Sequence, residues 1–378
     1  MKYVLIYILI VLFVIPGCTR DELFEPNLYL PDSLFEKHPD FTELDIPIDL
    51  NKPLKLDNIA VDVSLIPLDT KEEAFFRNIW GLAIVDSLVL INTGSNIKYF
   101  DKNGKYLSTF ENIGQGPGEY ETIFGWAVDK NNNRMAIADR HMINIYDLHG
   151  GFIKELDLPK PPFSLTSSIA FLDSGYLLVE NDRIQPSYED GFSPLWSINI
   201  HNNKFSTLFS NYPDSVYRFR KQYAFMGYLE KTNNSKLYTP WVDSYNTYLI
   251  DHEMNIYLKY RLNLGKLTMP LGALYDADNY QTYTRRFAII HPLIETERYI
   301  FIKYTKNQAN RTIENYAVYD KLENKIIAHY SDSAGMVSER YPELIFWPRF
   351  FHDQDQIICV HEPDTENKNF VLSIISLK

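Results

Sequence analysis

The chain has 378 residues, and aromatic residues make up 15% of it, with 27 Tyr, 23 Phe and 5 Trp. That aromatic content suits pleated, half-buried strands better than amphipathic helices, so the composition favours an all-β fold. The formal net charge of −12 argues against binding to nucleic acid, whose phosphate backbone requires a basic surface.

The N-terminus has the pattern of a lipoprotein signal peptide over residues 1–17. Lys2 precedes a run of about fourteen apolar residues, which fits a signal-peptide core and is short for a bilayer span. The run ends at Gly17-Cys18, which resembles a bacterial lipobox, so we expect Cys18 to be lipidated. The alternative is an ordinary cleavage site beside a buried cysteine.

Residues 18–55 are interpreted as the lipid anchor and a tether, because prolines interrupt this stretch repeatedly. With Cys18 lipidated, Cys359 is the remaining cysteine, so no intramolecular disulfide can form. Cys359 lies in an apolar run, and we expect it to be a small buried hydrophobe.

Residues 56–378 contain a repeated unit of four predicted strands. The first unit comprises Ile79–Ile84, Ser87–Asn92, Ile97–Phe100 and Tyr106–Phe110, and the second Phe124–Val128, Arg134–Ala138, Ile143–Tyr146 and Phe152–Leu156. The third comprises Ser168–Leu172, Tyr176–Glu180, Leu195–Ile200 and Phe205–Phe209, and the fourth Tyr223–Leu229, Lys236–Pro240, Thr247–Asp251 and Tyr257–Leu262. The fifth comprises Arg286–Ile290, Tyr299–Tyr304, Asn315–Asp320 and Lys325–His329, and the sixth runs from Ile345 to Leu377. Six such units predict a six-bladed β-propeller of four-stranded antiparallel blades.

An N-terminal strand is expected to close the ring. Ala60–Leu68 alternates like a strand but belongs to no complete unit. Pairing with the last blade would join the two ends of the chain and cover an exposed sheet edge. An independent strand outside the ring is the alternative.

Gly114–Tyr120, with the sequence GQGPGEY, joins the first two units. Its glycines and proline indicate a rigid turn, and neither a third phosphate-loop glycine nor a following helix is present. We expect the loop to cross a ring face from an outer to an inner strand, with Glu119 and Tyr120 closest to the axis.

The hairpin Phe100–Gly104, the GQGPGEY loop and the segments Leu237–Pro240 and Leu262–Lys266 resemble the six-bladed β-propeller lipoproteins of the Bacteroidetes, which are akin to NHL-type and TolB-like propellers. The resemblance spans roughly residues 60–330. It implies an exported, anchored propeller with no established catalytic residues. An outer-membrane lipoprotein, periplasmic or surface-exposed, is the location that we expect.

The candidate ligand-binding residues lie in the GQGPGEY loop or near the starts of inner strands: Gln115, Glu119, Tyr120, Trp126, Arg285, Arg286, Trp347 and Arg349. Aromatic faces and guanidinium groups together can hold a sugar or an anion. The same residue types can instead seal the centre of a ring. No catalytic, metal-ligand or hydrolase motif can be read from the spacing, and no cofactor is expected.

Two functions therefore remain open. The first is a non-catalytic binding module for a glycan, peptide or protein partner at the cell envelope, anchored to the membrane by its lipid. The alternative is a propeller enzyme of the lactonase or lyase type, with a divalent cation in the central channel. A structural subunit of an envelope complex is a third possibility, which would display a large exposed apolar patch.

Overall fold

The computed structural model describes residues 35–139, 142–158, 165–172, 175–181, 195–208, 228–231, 235–240, 245–270, 280–308, 311–331, 335–363 and 368–378. The predicted signal peptide, Cys18 and the first part of the tether lie outside these residues. No helix in the described ranges is long and apolar enough to cross a membrane.

Strands account for most of the described chain. Two precede the repeated units: β1 (Lys37–Asp45) and β2 (Ala60–Pro67). The first two units contain β3 (Gly81–Val85), β4 (Leu88–Asn92), β5 (Ile97–Asp101), β6 (Tyr106–Phe110), β7 (Gly125–Asp129), β8 (Arg134–Ala138), β9 (Met142–Asp147) and β10 (Phe152–Asp157). The next two contain β11 (Leu165–Phe171), β12 (Tyr176–Asn181), β13 (Leu195–Asn199), β14 (Phe205–Thr207), β15 (Tyr228–Lys231), β16 (Lys236–Thr239), β17 (Asn246–Ile250) and β18 (Ile256–Asn263).

The last third of the chain adds one short helix and ten strands in the described ranges. The helix is α1 (Tyr280–Arg286), and 3-10 turns lie at Leu56–Asn58, Glu72–Ala74 and Gly265–Leu267. The strands are β19 (Ile289–Ile290), β20 (Ile294–Glu295), β21 (Tyr299–Gln308), β22 (Arg311–Asp320), β23 (Lys325–Ser331), β24 (Met336–Val337), β25 (Ile345–Phe346), β26 (Pro348–Asp353), β27 (Gln356–His361) and β28 (Val371–Leu377).

These strands form the six blades that the repeats predict. Blades 1 to 3 are the sheets β3–β6, β7–β10 and β11–β14, and blade 4 is β15–β18 with β1 added outside. In blade 5, the short β19 and β20 both pair with β21, followed by β22 and β23. Blade 6 has the order β26, β27, β28, β2, while β24 and β25 form a small separate sheet.

The ring is closed as predicted, because β2 pairs with β28 in an antiparallel ladder from Ala60 opposite Leu377 to Pro67 opposite Val371. The core confirms the closure. Six hydrophobic clusters of described residues lie one between each pair of neighbouring blades, including one between blades 6 and 1. Cys359 is buried in the cluster between blades 5 and 6, as expected, and burial raises the pKa of its thiol.

One turn motif explains why the repeats are visible in the sequence. The side chain of Asp101 accepts hydrogen bonds from the backbone N–H groups of Asn103 and Lys105, and Asp147 and Asp251 do the same in blades 2 and 4. Such side-chain acceptors replace a backbone turn and fix the hairpin between the two outer strands. The aspartates therefore mark equivalent positions in successive blades.

The predicted tether is wrong for its second half. β1 pairs in parallel with β18 at the outer edge of blade 4, and Leu44 is fully buried. The chain then exchanges backbone hydrogen bonds between Lys52 and His329 on blade 5 before it reaches β2 on blade 6. Residues 37–67 thus form an outer strap, defined as the segment that lies along the outer strands of blades 4, 5 and 6.

Candidate functional site

The channel-facing surface begins with an irregular inner strand in blade 6. Along β26, Pro348 pairs with Cys359 and Phe350 pairs with its neighbour Ile358, so Arg349 is an extra residue in a bulge. A second register shift between Phe351 and Asp353 makes His352 extra in the same way. Because bulges bend a strand and re-aim a side chain, both polar residues leave the regular pattern of the sheet.

Arg349 reaches across to the first blade. Its Nη2 atom donates a 2.6 Å hydrogen bond to the backbone carbonyl oxygen of Ile79, immediately before β3. The side chain has substantial solvent-accessible surface, yet desolvation lowers the pKa of its guanidinium. Water therefore touches part of the side chain while protein surrounds the rest.

Two tryptophans flank the same stretch of backbone. Trp80 follows Ile79 and is 70% exposed, and its ring lies against Gly94, where an added Cβ would be 3.0 Å from Cδ1 and Nε1. Trp126, from β7 of blade 2, packs on Gly81, where an added Cβ would lie 2.6 Å from its Cε3 atom. We call Trp80, Trp126 and Arg349, together with the Ile79–Gly81 backbone, the mouth cluster.

The mouth cluster is rich in hydrogen-bond donors. The indole Nε1–H of Trp126 is buried and has no hydrogen-bond partner among the described residues. The guanidinium uses one of its five N–H groups on Ile79, and neither it nor an indole can accept a hydrogen bond. The arrangement therefore suits a ligand that brings acceptor oxygens and a flat or apolar face.

At the opposite end of the inner strands, side chains of two blades meet. Lys130 follows β7, and its Nζ donates to the carbonyl oxygen of His352 at 3.3 Å and lies 3.4 Å from His352 Nδ1. Blades 2 and 6 are separated by blade 1, so this contact spans the central region. It narrows the channel at the end away from the mouth cluster.

The GQGPGEY loop joins outer β6 to inner β7, as expected, but its polar side chains serve the loop itself. Glu119 Oε2 accepts from the N–H of Gly116, and Gln115 donates to Glu121 at 2.7 Å. Tyr120 is 1% exposed and lies in the cluster between blades 1 and 2. The expected position of Glu119 and Tyr120 nearest the axis is therefore corrected: Tyr120 is a core residue, because its ring fills the inter-blade space.

Arg285 and Arg286 also lie elsewhere than predicted. Both are in the last turn of α1 and are exposed, whereas the sequence placed Arg286 at the start of an inner strand. Trp347 packs edge-on against Tyr316 at a ring distance of 4.6 Å, between blades 5 and 6. Of the predicted site residues, Trp126 packs on Gly81 and Arg349 bonds to Ile79, so both lie against the same short stretch of blade 1.

Sequence reasoning missed Trp80, although a signal was present. Trp80, Trp126 and Trp347 all stand within two residues of the start of an inner strand, and the first was not singled out. His291, on the inner edge of blade 5, has a buried Nε2 atom without a partner in the described structure. Desolvation and, to a smaller extent, the charge of Lys303 lower the pKa of His291.

No group of three or more His, Cys, Asp or Glu side chains with metal-binding geometry occurs in the described ranges. Two other arginines there are paired with carboxylates: Arg134 lies 2.9 Å from Asp129, and Arg298 lies 2.8 Å from Asp320. Arg349 makes no ion pair with a described residue, which sets it apart from both.

Comparison with solved structures finds similar folds in Bacteroides. An exported protein of Bacteroides fragilis NCTC 9343 is 20% identical, with a TM-score of 0.65 over 89% of this chain and 99% of the other. A DUF4221 family member from Bacteroides vulgatus ATCC 8482 is 10% identical, with a TM-score of 0.54 over 87% and 98%. These likenesses support the fold.

None of the curated proteins matches this chain. The family model described as a domain of unknown function, DUF4934, matches residues 41–371, which include β2 and nearly all of the propeller. The chain therefore belongs to the DUF4934 family.

Proposed function

We propose that this protein is an exported, lipid-anchored binding module that holds a glycan at the mouth cluster. The observation that carries the proposal is Trp80, whose ring is 70% exposed and which directly follows Ile79, the residue whose carbonyl oxygen is bound by Arg349. Sites that combine an aromatic face with a few polar groups suit small ligands.

A sugar fits this chemistry. The C–H face of a pyranose ring carries partial positive charge, which complements the negative face of an indole. Its hydroxyl groups and ring oxygen can accept hydrogen bonds from the guanidinium of Arg349. A protein partner would need a surface of about 800 Å², whereas the mouth cluster is a group of three side chains.

The proposed location rests on the sequence of the N-terminus. The lipobox pattern ending in Cys18 would anchor the propeller to the outer membrane. The similar Bacteroides fragilis protein is itself described as exported. The outer strap follows the predicted anchor in the chain and is fixed to blades 4 to 6. The propeller would therefore be held close to the membrane anchor.

The test is glycan-array binding followed by calorimetry on the mature chain. We expect specific binding to one glycan class, and at least tenfold weaker affinity in Trp80→Ala, which corresponds to about 1.4 kcal/mol. Leu322→Ala is the matched control, because Leu322 is a 76% exposed apolar residue in the β22–β23 turn. Binding to protein or peptide only, or equal loss in both variants, would contradict the proposal.

A further inference from the structure

Arg349 has no carboxylate partner among the described residues. Arg134 and Arg298 each hold an aspartate within 3 Å, at 2.9 Å and 2.8 Å. Arg349 instead donates one N–H to the carbonyl oxygen of Ile79. Desolvation lowers the pKa of the Arg349 guanidinium, the charge of Glu362 raises it in part, and the two side chains form no ion pair. The rest of the guanidinium keeps solvent-accessible surface, so its remaining N–H groups are open to an incoming acceptor.

The backbone is arranged to keep this charge in the site. Arg349 is the extra residue of a bulge in β26, and regular pairing would place it with the side chains that pack between blades. Bulges recur where a strand re-aims a functional side chain. The hydrogen bond holds the guanidinium at the backbone of Ile79, the residue that precedes the exposed Trp80.

The chemistry that completes the site is an anion. Arg349 and the buried indole N–H of Trp126 are donors without acceptor capacity. A carboxylate accepts two parallel hydrogen bonds from a guanidinium fork, which fixes both position and orientation. A neutral sugar would leave the charge unpaired.

The charge of the whole chain limits which anion fits. At a formal net charge of −12, the protein repels densely charged polymers such as nucleic acids or heavily sulfated chains. A carboxylate on a sugar ring adds one negative charge beside Arg349. The balance favours a carboxylated sugar over a nucleic acid or a heavily sulfated chain.

We infer that the ligand is a glycan containing a uronic acid, whose carboxylate pairs with Arg349 while the sugar ring packs on Trp80. This inference rests on the glycan-binding function proposed above. It adds the substrate class and assigns separate roles to two residues: Trp80 binds any fitting ring, and Arg349 selects the acidic one.

The experiment uses oligogalacturonate, alginate and hyaluronan oligosaccharides, each beside its carboxyl-reduced counterpart, which differs only in bearing CH₂OH. Calorimetry on the mature chain should show binding of at least one acidic oligosaccharide, and at least tenfold weaker binding of the reduced form. Arg349→Gln should bring the acidic form down to the affinity of the reduced form, whereas Arg349→Lys should keep part of the preference. Arg311→Gln, which removes an exposed arginine of β22, should change neither.

The outcomes separate this inference from the proposed function. If acidic and reduced forms bind equally, or if Arg349→Gln retains the preference, the carboxylate assignment is overturned and glycan binding stands. If neutral and acidic glycans both fail to bind the folded protein, both proposals are overturned. Thermal unfolding of each variant shows whether an affinity change reflects misfolding.

Discussion

Arg349 donates a hydrogen bond to the carbonyl oxygen of Ile79, and this contact joins the last blade to the first at the mouth of the channel. It is one side-chain bond beside a continuous hydrophobic cluster between the same blades. A single hydrogen bond contributes about 0.5–1.5 kcal/mol net, so its main consequence is the placement of the guanidinium.

The Trp80→Ala variant distinguishes a ligand-binding role of this ring from a role in packing. Because its side chain is 70% exposed, Trp80→Ala should change the free energy of unfolding by less than about 1 kcal/mol. Chemical denaturation checks this. A large loss of stability would show that the ring serves the fold rather than a ligand.

Gly81→Ala tests the mouth cluster without removing any of its side chains. The new Cβ would lie 2.6 Å from Cε3 of Trp126, so the indole must move. We expect weaker glycan binding with Trp80 and Arg349 unchanged, measured by calorimetry. Wild-type affinity, with the variant folded, would remove Trp126 from the site.

The outer strap should be part of the folding unit. Leu44 is fully buried among residues of blades 4 and 5, so Leu44→Ala should lower the free energy of unfolding by about 2–5 kcal/mol. Leu322→Ala, a size-matched change at a 76% exposed site, should cost less than about 0.5 kcal/mol. Equal losses of stability for the two variants in denaturant titrations would contradict the packed strap and favour a flexible tether.

The closing strand makes a close approach at Gly104. This residue has φ of 84°, and an added Cβ would lie 2.1 Å from the carbonyl oxygen of Pro67 at the end of β2. Gly265 has φ of 56° with open space around it. Gly265→Ala should therefore cost only the backbone term of about 1–2 kcal/mol, and Gly104→Ala clearly more. Similar losses of stability for the two variants in chemical denaturation would mean that β2 moves away from the added Cβ without an energetic cost.

Stability should fall on mild acidification. Four described histidines have a pKa below the ordinary value of 6.5, with desolvation as the main cause: His38, His291, His329 and His361. The unfolded chain takes up these protons near pH 6.5, whereas the folded chain resists them. Their contribution is thus complete above about pH 6.5 and is lost as the pH falls towards the lower folded values.

His329 provides the matched variant for this effect. It is 1% exposed, with Nδ1 bonded to the carbonyl oxygen of Leu50 at 2.6 Å and Nε2 beside the Tyr304 hydroxyl at 2.7 Å. His329→Gln should be less stable at pH 7.5 and should lose less stability on going to pH 5.5. Parallel slopes for variant and wild type would show that His329 has the same pKa in the folded and unfolded chains.

The blades could be predicted because local chemistry repeats in them. Asp101 and Asp147 fix the same hairpin in successive units, and alternation predicted β2 as the closing strand. β1 was missed because prolines and charges suggested a tether, and its parallel partner β18 is more than 200 residues away. Only the folded sheet reveals that partner.

Part of the candidate site could be predicted because the repeat locates the inner strands. Trp126 and Arg349 stand near the starts of inner strands, which the repeat identifies. The bulge that re-aims Arg349 is a matter of register between β26 and β27, and no residue type marks it in the sequence. Tyr120 was expected at the axis because loop connectivity does not show how far a loop folds back before it enters the next blade.

The position of a bound glycan tests the central claim most directly. A crystal structure of the mature chain with the oligosaccharide selected by calorimetry should place one sugar ring on Trp80, within about 4 Å of the indole, with an acceptor oxygen at the guanidinium of Arg349. A glycan bound on the outer strap, on α1 or at the Lys130 and His352 end of the channel, with the mouth cluster empty, would contradict the account.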